Sequence, residues 1–452
     1  MTSAAGPGRP EGKRIDPPGK KRAVSPDGEG AGGRTGEPAA VILGRWSAEL
    51  TPGDIPGQVA GAARRHLIDA VGCAVAGVRR GAAGPALAVA AGLGGPPEAR
   101  LFSGERLGAV AAAFGNAVAI HALDFDDTHP GGLVHPSAVT VPVALALGEQ
   151  TGGDHLTALV AGLETACRLG AAVPHGFHAR GLHATSMVGP VAAAVTAGKL
   201  LRLDAPTLTH AIGIAASGAG GLLEFLHSPA GTKQIHPGTA VANGILAARL
   251  AAAGATGPAG ALDGEYGLFR ALTGRSPDRD VLTGDGWEIP LITIKPYPAC
   301  QLVHPSVDAA RQFAGVRPRA LTVTLHPDAV PIVAGEAKRR PRSAYEAKFS
   351  VYWCVAAMIV DGHLGLDSFD RLDRADLLDL AARIDVVEKD FGTVAADAPG
   401  IVAFGQHVSH VDTTAGPGFE AKAQANLGPG AAAVFAAATP AEILDATERC
   451  LW

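Results

Sequence analysis

The sequence predicts a mainly α protein: a large all-helical domain joined to a smaller α+β domain. Three observations carry this. Apolar residues recur at three- and four-residue steps from Ala39 to about residue 286. Near Trp287 the texture changes to β-branched residues, with period-two alternation clearest in "LTVTLH". The final "TPAEILDATERCLW" returns to helical spacing.

In chain order, residues 1–38 ("MTSAAGPGRPEGKRIDPPGKKRAVSPDGEGAGGRTGEP") lack an apolar core, so they read as a disordered tail and not a signal peptide. The helical domain, 39–286, holds "AARRHLIDAVGCAVAG", "GAVAAAFGNAVAIHALDF", "HLTALVAGLETACRLGAAV", "SMVGPVAAAVTAGKLLRL" and "HPGTAVANGILAARLAAAG". Several of these are apolar nearly all round, as expected of central helices covered by others. For the α+β domain, 287–405, "EIPLITIKPYP" and "RALTVTLHP" predict strands and "SAYEAKFSVYWCVAAMIVDG" a helix. "RIDVVEKD" and "IVAFGQHVSHVDTTAG" predict further strands. Residues 406–452 are expected to rejoin the helical domain, with Thr439 as N-cap of the last helix.

A chain of 452 residues that is 47% hydrophobic can bury a large core. With 18% charged residues and a net charge of -5, nothing global points to nucleic acid or a membrane surface, so any cationic site must be local. No segment offers the run of about 20 apolar residues that a membrane span needs. Sixty glycines beside 5% aromatics suggest closely apposed helices. The five cysteines show neither CxxC nor CxxxxH spacing, so no disulfide framework or zinc knuckle is indicated, and a reducing cytoplasm is the simplest home.

The chemistry concentrates in four stretches. In "HALDFDDTHPGGLVHPSA", a helix is expected to end near Asp127, because Pro130 and Gly131-Gly132 cannot continue it comfortably. That would put His121, Asp124 and Asp127 on one face and turn Asp126 elsewhere. His129, His135, His236, His304 and His326 each precede proline, which disfavours the α conformation and marks them as loop or strand-end residues. Second, in "GFHARGLHATSMVGP", His183 stands before a helix capped by Thr185 or Ser186, where the dipole and free N–H groups favour an anion. Third, "GTKQIHPGTAVANG" is a polar loop bringing Lys233 and His236 ahead of a helix. Fourth, "IKPYPACQLVHPS" carries Lys295, Cys300 and His304 near the domain junction. Asp-rich "DFDDTH" lacks the second acidic helix of a diphosphate-binding magnesium site, and His/Asp metal spacing is only partly met.

Together these stretches resemble the MmgE/PrpD family, which includes 2-methylcitrate dehydratases and cis-aconitate decarboxylases. "HALDFDDTHPGGLVHPSA" is the most specific block; "GLHATSMVGP", "GTKQIHPG", "KPYPAC" and "EAKFSVYWCVAAMIVDG" follow in the family's order. The resemblance implies a helical domain, a smaller lid domain, a homodimer, and a cleft site needing neither metal nor other cofactor. It gathers Asp124, Thr128, His135, His183, Lys233 and Lys295 around a small carboxylate substrate. Two departures stand out. Cys300 occupies a position where animal and fungal decarboxylases carry histidine, and Trp353 replaces a family tyrosine that would touch substrate, with Tyr352 beside it.

A hydroxy-tricarboxylate dehydratase needs a base, an acid and cations that hold developing negative charge. On this reading His135 and His183 are base and acid in either order. Asp124 orients one imidazole and sets its tautomer, Thr128 donates to a carboxylate, and Lys233 and Lys295 supply the charge. Cys300 makes 2-methylcitrate-type dehydration the expected reaction. Decarboxylation of a cis-aconitate-type acid, epimerisation and a carboxylate-binding protein without turnover are the alternatives.

Overall fold

Small side chains decide how the first part of the chain packs. In the computed structural model, which describes residues 36–451 apart from 413 and 415, this part forms nine principal helices among the described residues. They are α1 (Ala39–Glu49), α2 (Gly57–Arg79), α3 (Gly84–Leu93), α4 (Ala109–His121), α5 (Pro136–Thr151), α6 (His155–Ala171), α7 (Ala184–Leu200), α8 (Ala205–Ser217) and α9 (Thr232–Ala252). The stretch 1–35, most of the expected tail, lies outside the described residues.

Helices α4, α5 and α7 are buried on nearly every face, the mark of central helices. Alanine and glycine let the backbones approach. A Cβ added at Gly244 of α9 would lie 2.4 Å from Ala193 Cβ and 2.6 Å from the Pro190 carbonyl of α7. The α7–α9 contact therefore depends on the missing side chain. Two short strands, β1 (Ala99–Arg100) and β2 (Arg106–Leu107), pair antiparallel beside α4 and α5.

The chain returns to this first core at its end. The helix Phe419–Leu427 packs on α2, and Pro440–Leu451 packs on α5 and α2. Thr439 caps that last helix, accepting from Glu442 N–H at 3.2 Å while the Glu442 carboxylate accepts from Thr439 N–H at 3.0 Å. Lys422 fastens the return from beneath the loop after α4, with its ammonium 2.7 Å from Asp69 Oδ1 and 2.6 Å from the Phe125 carbonyl.

A second core surrounds a four-stranded sheet of order β4-β3-β5-β6, built from β3 (Leu321–Leu325), β4 (Ile384–Glu388), β5 (Gly400–Phe404) and β6 (His407–Val411). β3 runs parallel to β4 and antiparallel to β5, with Val323 opposite both Val386 and Val402. Its alternating burial turns Leu321, Val323 and Leu325 inward. The helix His304–Ala310 covers β5 and β6, and the buried helix Val351–Asp361 packs against it. The β5–β6 hairpin turns at Gly405 (φ 59), so the outer strand falls beyond the boundary expected at 405.

Two expected elements differ. "EIPLITIKPYP" is no regular strand. Pro290, Pro296 and Pro298 remove ladder donors, and the segment forms a single 3-10 turn, Ile289–Leu291, followed by one bridge from Thr293 to Thr128. The predicted helix in "SAYEAKFSVYWCVAAMIVDG" breaks into Ala344–Ala347 and Val351–Asp361. Ser350 caps the second piece through Trp353 N–H at 3.0 Å, while the Lys348 carbonyl turns to accept from Cys300 N–H at 2.9 Å. Among the described residues no helix is long and apolar enough to cross a membrane.

Candidate active site

The loop from Ala122 to Val134 links α4 to α5. Helix α4 stops at His121, six residues before the expected end, and Asp124 adopts φ 52, a left-handed conformation that ends helical spacing. The three aspartates therefore do not sort by helix face. All are essentially buried, and each meets a different partner. Asp124 faces Lys233 and Lys295; Asp126 accepts from His121 Nδ1–H at 2.8 Å; Asp127 accepts from the Ser137 hydroxyl at 2.6 Å and lies 2.8 Å from His66 Nδ1. Thr128 and Thr293 exchange backbone hydrogen bonds of 2.9 and 2.8 Å, joining this loop to the segment that carries Lys295. At Gly132 a Cβ would fall 2.7 Å from the Gly170 Cα, so the Gly-Gly turn lies directly on α6.

Lys233, from the first turn of α9, and Lys295 converge on one carboxylate oxygen. Their ammonium nitrogens are 2.6 and 3.2 Å from Asp124 Oδ1, and Lys295 also donates to the Asp124 carbonyl at 2.9 Å. Burial alone would push the Asp124 carboxyl up, but the two ammonium charges outweigh it and hold the group well below the usual carboxylate range. Asp124 Oδ2 has no hydrogen-bond partner. Two positive charges thus share one fixed negative charge, leaving the wall cationic.

These groups line a cavity of about 470 Å³ of empty space, mouth included, between the first core and the second. Asp124, Thr128, His135, His183, Lys233, Lys295 and Cys300 all reach it. The opposite lining is apolar, with the Phe349 ring 5.3 Å from the Lys233 ammonium. Such a wall excludes water and strengthens the charges facing it.

Neighbours fix the tautomer of His135. Its Nδ1 lies 2.9 Å from the Asp127 carbonyl, which can only accept, so Nδ1 carries the hydrogen and Nε2 keeps its lone pair, 3.3 Å from Lys233 Nζ. Burial and the two lysine charges hold this imidazole well below its ordinary pKa. The orienting group is therefore the Asp127 carbonyl and not Asp124, whose Oδ1 is 4.0 Å from His135 Nε2 with Lys233 between them. Thr128 Oγ1 sits 3.4 Å from His135 Nδ1, and its hydroxyl hydrogen can turn into the cavity. His183 is itself the N-cap of α7, which starts at Ala184, ahead of both expected caps. Thr185 instead accepts from His135 N–H at 3.1 Å.

Trp353 is not at the site. Its ring is fully buried in the second core, and its indole N–H donates to the Ser368 carbonyl at 3.1 Å. Tyr352 also turns away, donating to the Ala334 carbonyl at 2.8 Å. Cys300 does line the cavity, as a thiol whose pKa burial raises. His236 lies inside α9, and His304 opens its own short helix with Pro305 in the first turn, against the expectation that both occupy loops.

The ring nitrogens of His121, His135 and His183 come within 4.8 Å of one another, and His121, Asp124, Asp126 and His135 form a second such group. Lys233 Nζ already supplies a cation between Asp124 and His135. The donor set is thus suited to an ammonium as it stands.

Residues not singled out as site residues from sequence include His178 and Phe349 on the cavity wall, and Asp126, Asp127 and His236 behind it. Asp126 and Asp127 were visible in the acidic run, but their separate partners come from α4, α2 and α5. Nothing in the spacing marks Phe349.

The model of the MmgE/PrpD N-terminal domain matches residues 41–280, and that of the MmgE/PrpD C-terminal domain matches residues 297–431. A cis-aconitate decarboxylase of Aspergillus terreus is 30% identical over 374 residues, spanning 75% of this chain and 76% of that protein. The cis-aconitate decarboxylase of Homo sapiens is 32% identical over 301 residues, 62% of each chain. That of Mus musculus is 31% identical over 305 residues, 62% of this chain and 61% of its own.

Proposed function

Because the chain belongs to the MmgE/PrpD family, we propose that it is a carboxy-lyase, removing carbon dioxide from a small unsaturated tricarboxylate of the cis-aconitate type. The decarboxylases among its relatives support this over the dehydration expected from Cys300. The observation that carries the reading is the convergence of Lys233 and Lys295 on Asp124 Oδ1, beside the buried imidazoles of His135 and His183 in a cavity whose remaining lining is largely apolar.

Loss of carbon dioxide leaves an electron pair on carbon that conjugation spreads toward a remaining carboxylate. Lys233 and Lys295 stabilise that charge without reorganising, because Asp124 already holds them. Carbon then takes a proton, and in this reading His183, which lines the cavity, gives it. His135, with Nδ1–H tied to the Asp127 carbonyl, presents only a lone pair at Nε2 and steadies Lys233. No added cation is needed, so dialysis against a chelator should leave turnover unchanged.

One observation favours a second reading. Cys300 offers a neutral thiol on the wall where, by the family resemblance, decarboxylases carry an imidazole. For dehydration of a 2-methylcitrate-type substrate, His135 Nε2 is the base and His183 protonates the departing hydroxyl. Incubation with cis-aconitate, citrate and 2-methylcitrate in D₂O, followed by NMR, separates the two. Decarboxylation gives carbon dioxide and one deuteron on carbon; water loss or addition with all carboxylates retained replaces the first reading by the second. Silence across the panel overturns both. The same family reading carries a homodimer, checked by sedimentation.

A further inference from the structure

We propose that His236 relays protons between solvent and His183, the two rings exchanging one hydrogen across an Nδ1–Nδ1 hydrogen bond while both stay neutral. The two nitrogens are 3.0 Å apart, a separation at which one must donate and the other accept. His183 is 1% exposed, lines the cavity, and its buried Nε2 has no partner in the protein. His236 is partly exposed. The pair thus joins a buried, unpartnered nitrogen on the cavity wall to the outside.

Local structure is built to hold it. His183 N–H donates to the Gly221 carbonyl at 3.0 Å, and Gly221 has φ 155. A Cβ there would lie 2.5 Å from Ser186 Oγ and 3.3 Å from His236 Nδ1, so a side chain would crowd Ser186 and press on the His236 ring at the nitrogen that meets His183. His236 follows Lys233 by three residues on α9, which places relay and substrate-holding cation on one helix.

The surroundings explain why a relay is needed. The groups facing His183 are His121, His135, His178 and Lys233, in addition to His236; those facing His236 are His183, His121 and Lys233. Burial, with the nearby Lys233 charge, holds His183 well below its ordinary pKa, and burial with His121 and Lys233 brings His236 down to about 4. A buried imidazolium is therefore a costly acid at neutral pH. A neutral imidazole can give up its Nε2 hydrogen only if Nδ1 gains one. In the relay one proton leaves His183 Nε2 for substrate carbon, one crosses from His236 Nδ1 to His183 Nδ1, and one enters His236 Nε2 from water. Both rings change tautomer and neither changes charge; water entering the emptied cavity lets the chain run back.

The relay rests on the lyase reading, but its geometry can be tested without substrate. In full-length protein with ¹⁵N-labelled histidine near neutral pH, Nδ1–H is expected on one ring of the pair and only one; hydrogen on both Nδ1 atoms or on neither overturns the proposal. His236→Gln keeps a hydrogen-bonding group but cannot pass a proton through its ring. It should lower kcat at least about tenfold, leave KM within about threefold, and recover with added imidazole. Wild-type kcat in this variant overturns the relay, as does a loss that imidazole does not restore and that accompanies earlier thermal unfolding. If the wild-type chain turns over nothing in the panel, the lyase reading falls, while the tautomer measurement still decides whether the pair shares a proton.

Discussion

Asp124 is the residue on which the site turns, because its one carboxylate holds two buried ammonium groups. Asp124→Asn would leave both uncompensated, and breaking a buried pair in this way costs about 3–5 kcal/mol. Denaturant unfolding should register that loss, and added tricarboxylate should raise the thermal midpoint of the variant more than that of wild type; a loss below about 1 kcal/mol would show the pairing to be dispensable. The imidazoles behave differently. His135→Gln and His183→Gln should each lower kcat by about 10²–10⁴-fold with little change in thermal unfolding, measured by steady-state kinetics beside a melting curve. Normal turnover in either variant would remove that residue from the chemistry. At this scale much was legible: Asp124, Thr128, His135, His183, Lys233, Lys295 and Cys300 all reach the cavity. Trp353 failed because position in a motif does not say which way a ring points, and the core took it.

Elements bring these residues together through two close approaches. Gly132 rests on Gly170 of α6, and Gly244 of α9 rests on α7. Gly170→Ala would put a methyl group 3.0 Å from the Gly132 Cα and 2.6 Å from Cγ2 of Val134, the residue before His135. It should destabilise the fold by about 1–3 kcal/mol and lower kcat as well, since the loop must move to make room. Wild-type activity in this variant would mean that the loop's seat on α6 does not position His135. Helix identities were readable from apolar spacing, whereas their ends near the site were not. Asp124 adopts a left-handed backbone where helical continuation was expected, and His236 is helical although Pro237 follows it. In both places the partners that outweigh local preference, Lys233 for Asp124 and His183 for His236, lie far along the chain.

At the scale of the whole molecule the buried histidines make stability depend on pH. Burial holds His121, His135 and His183 below their ordinary range, brings His236 to about 4, and brings His178 and His304 to about 3. The unfolded chain protonates these rings near pH 6.5, so below about 6.5 it takes up protons that the folded chain refuses. Their stabilising contribution is complete above that pH and declines as pH falls toward 4 and 3. Thermal midpoints should accordingly be lower at pH about 5 than at pH about 7.5; an equal or higher midpoint at the lower pH would contradict neutral buried imidazoles.

By itself the sequence determined the helical class, the β-rich insertion and the return of the last helix to helical spacing, because these follow from local periodicity, while the gathering of Asp124, His135, His183, Lys233 and Lys295 at one site was implied only by the family resemblance of the motifs. Tertiary structure alone decided that Asp126 and Asp127 serve different partners, that the Asp127 carbonyl and not Asp124 sets the His135 tautomer, and that His236 backs His183. Hydrogen bonds of about 3 Å that depend on how a loop turns between two helices, or that join residues as far apart as His183 and His236, have no signature in spacing. They exist only once two cores close on a shared cavity.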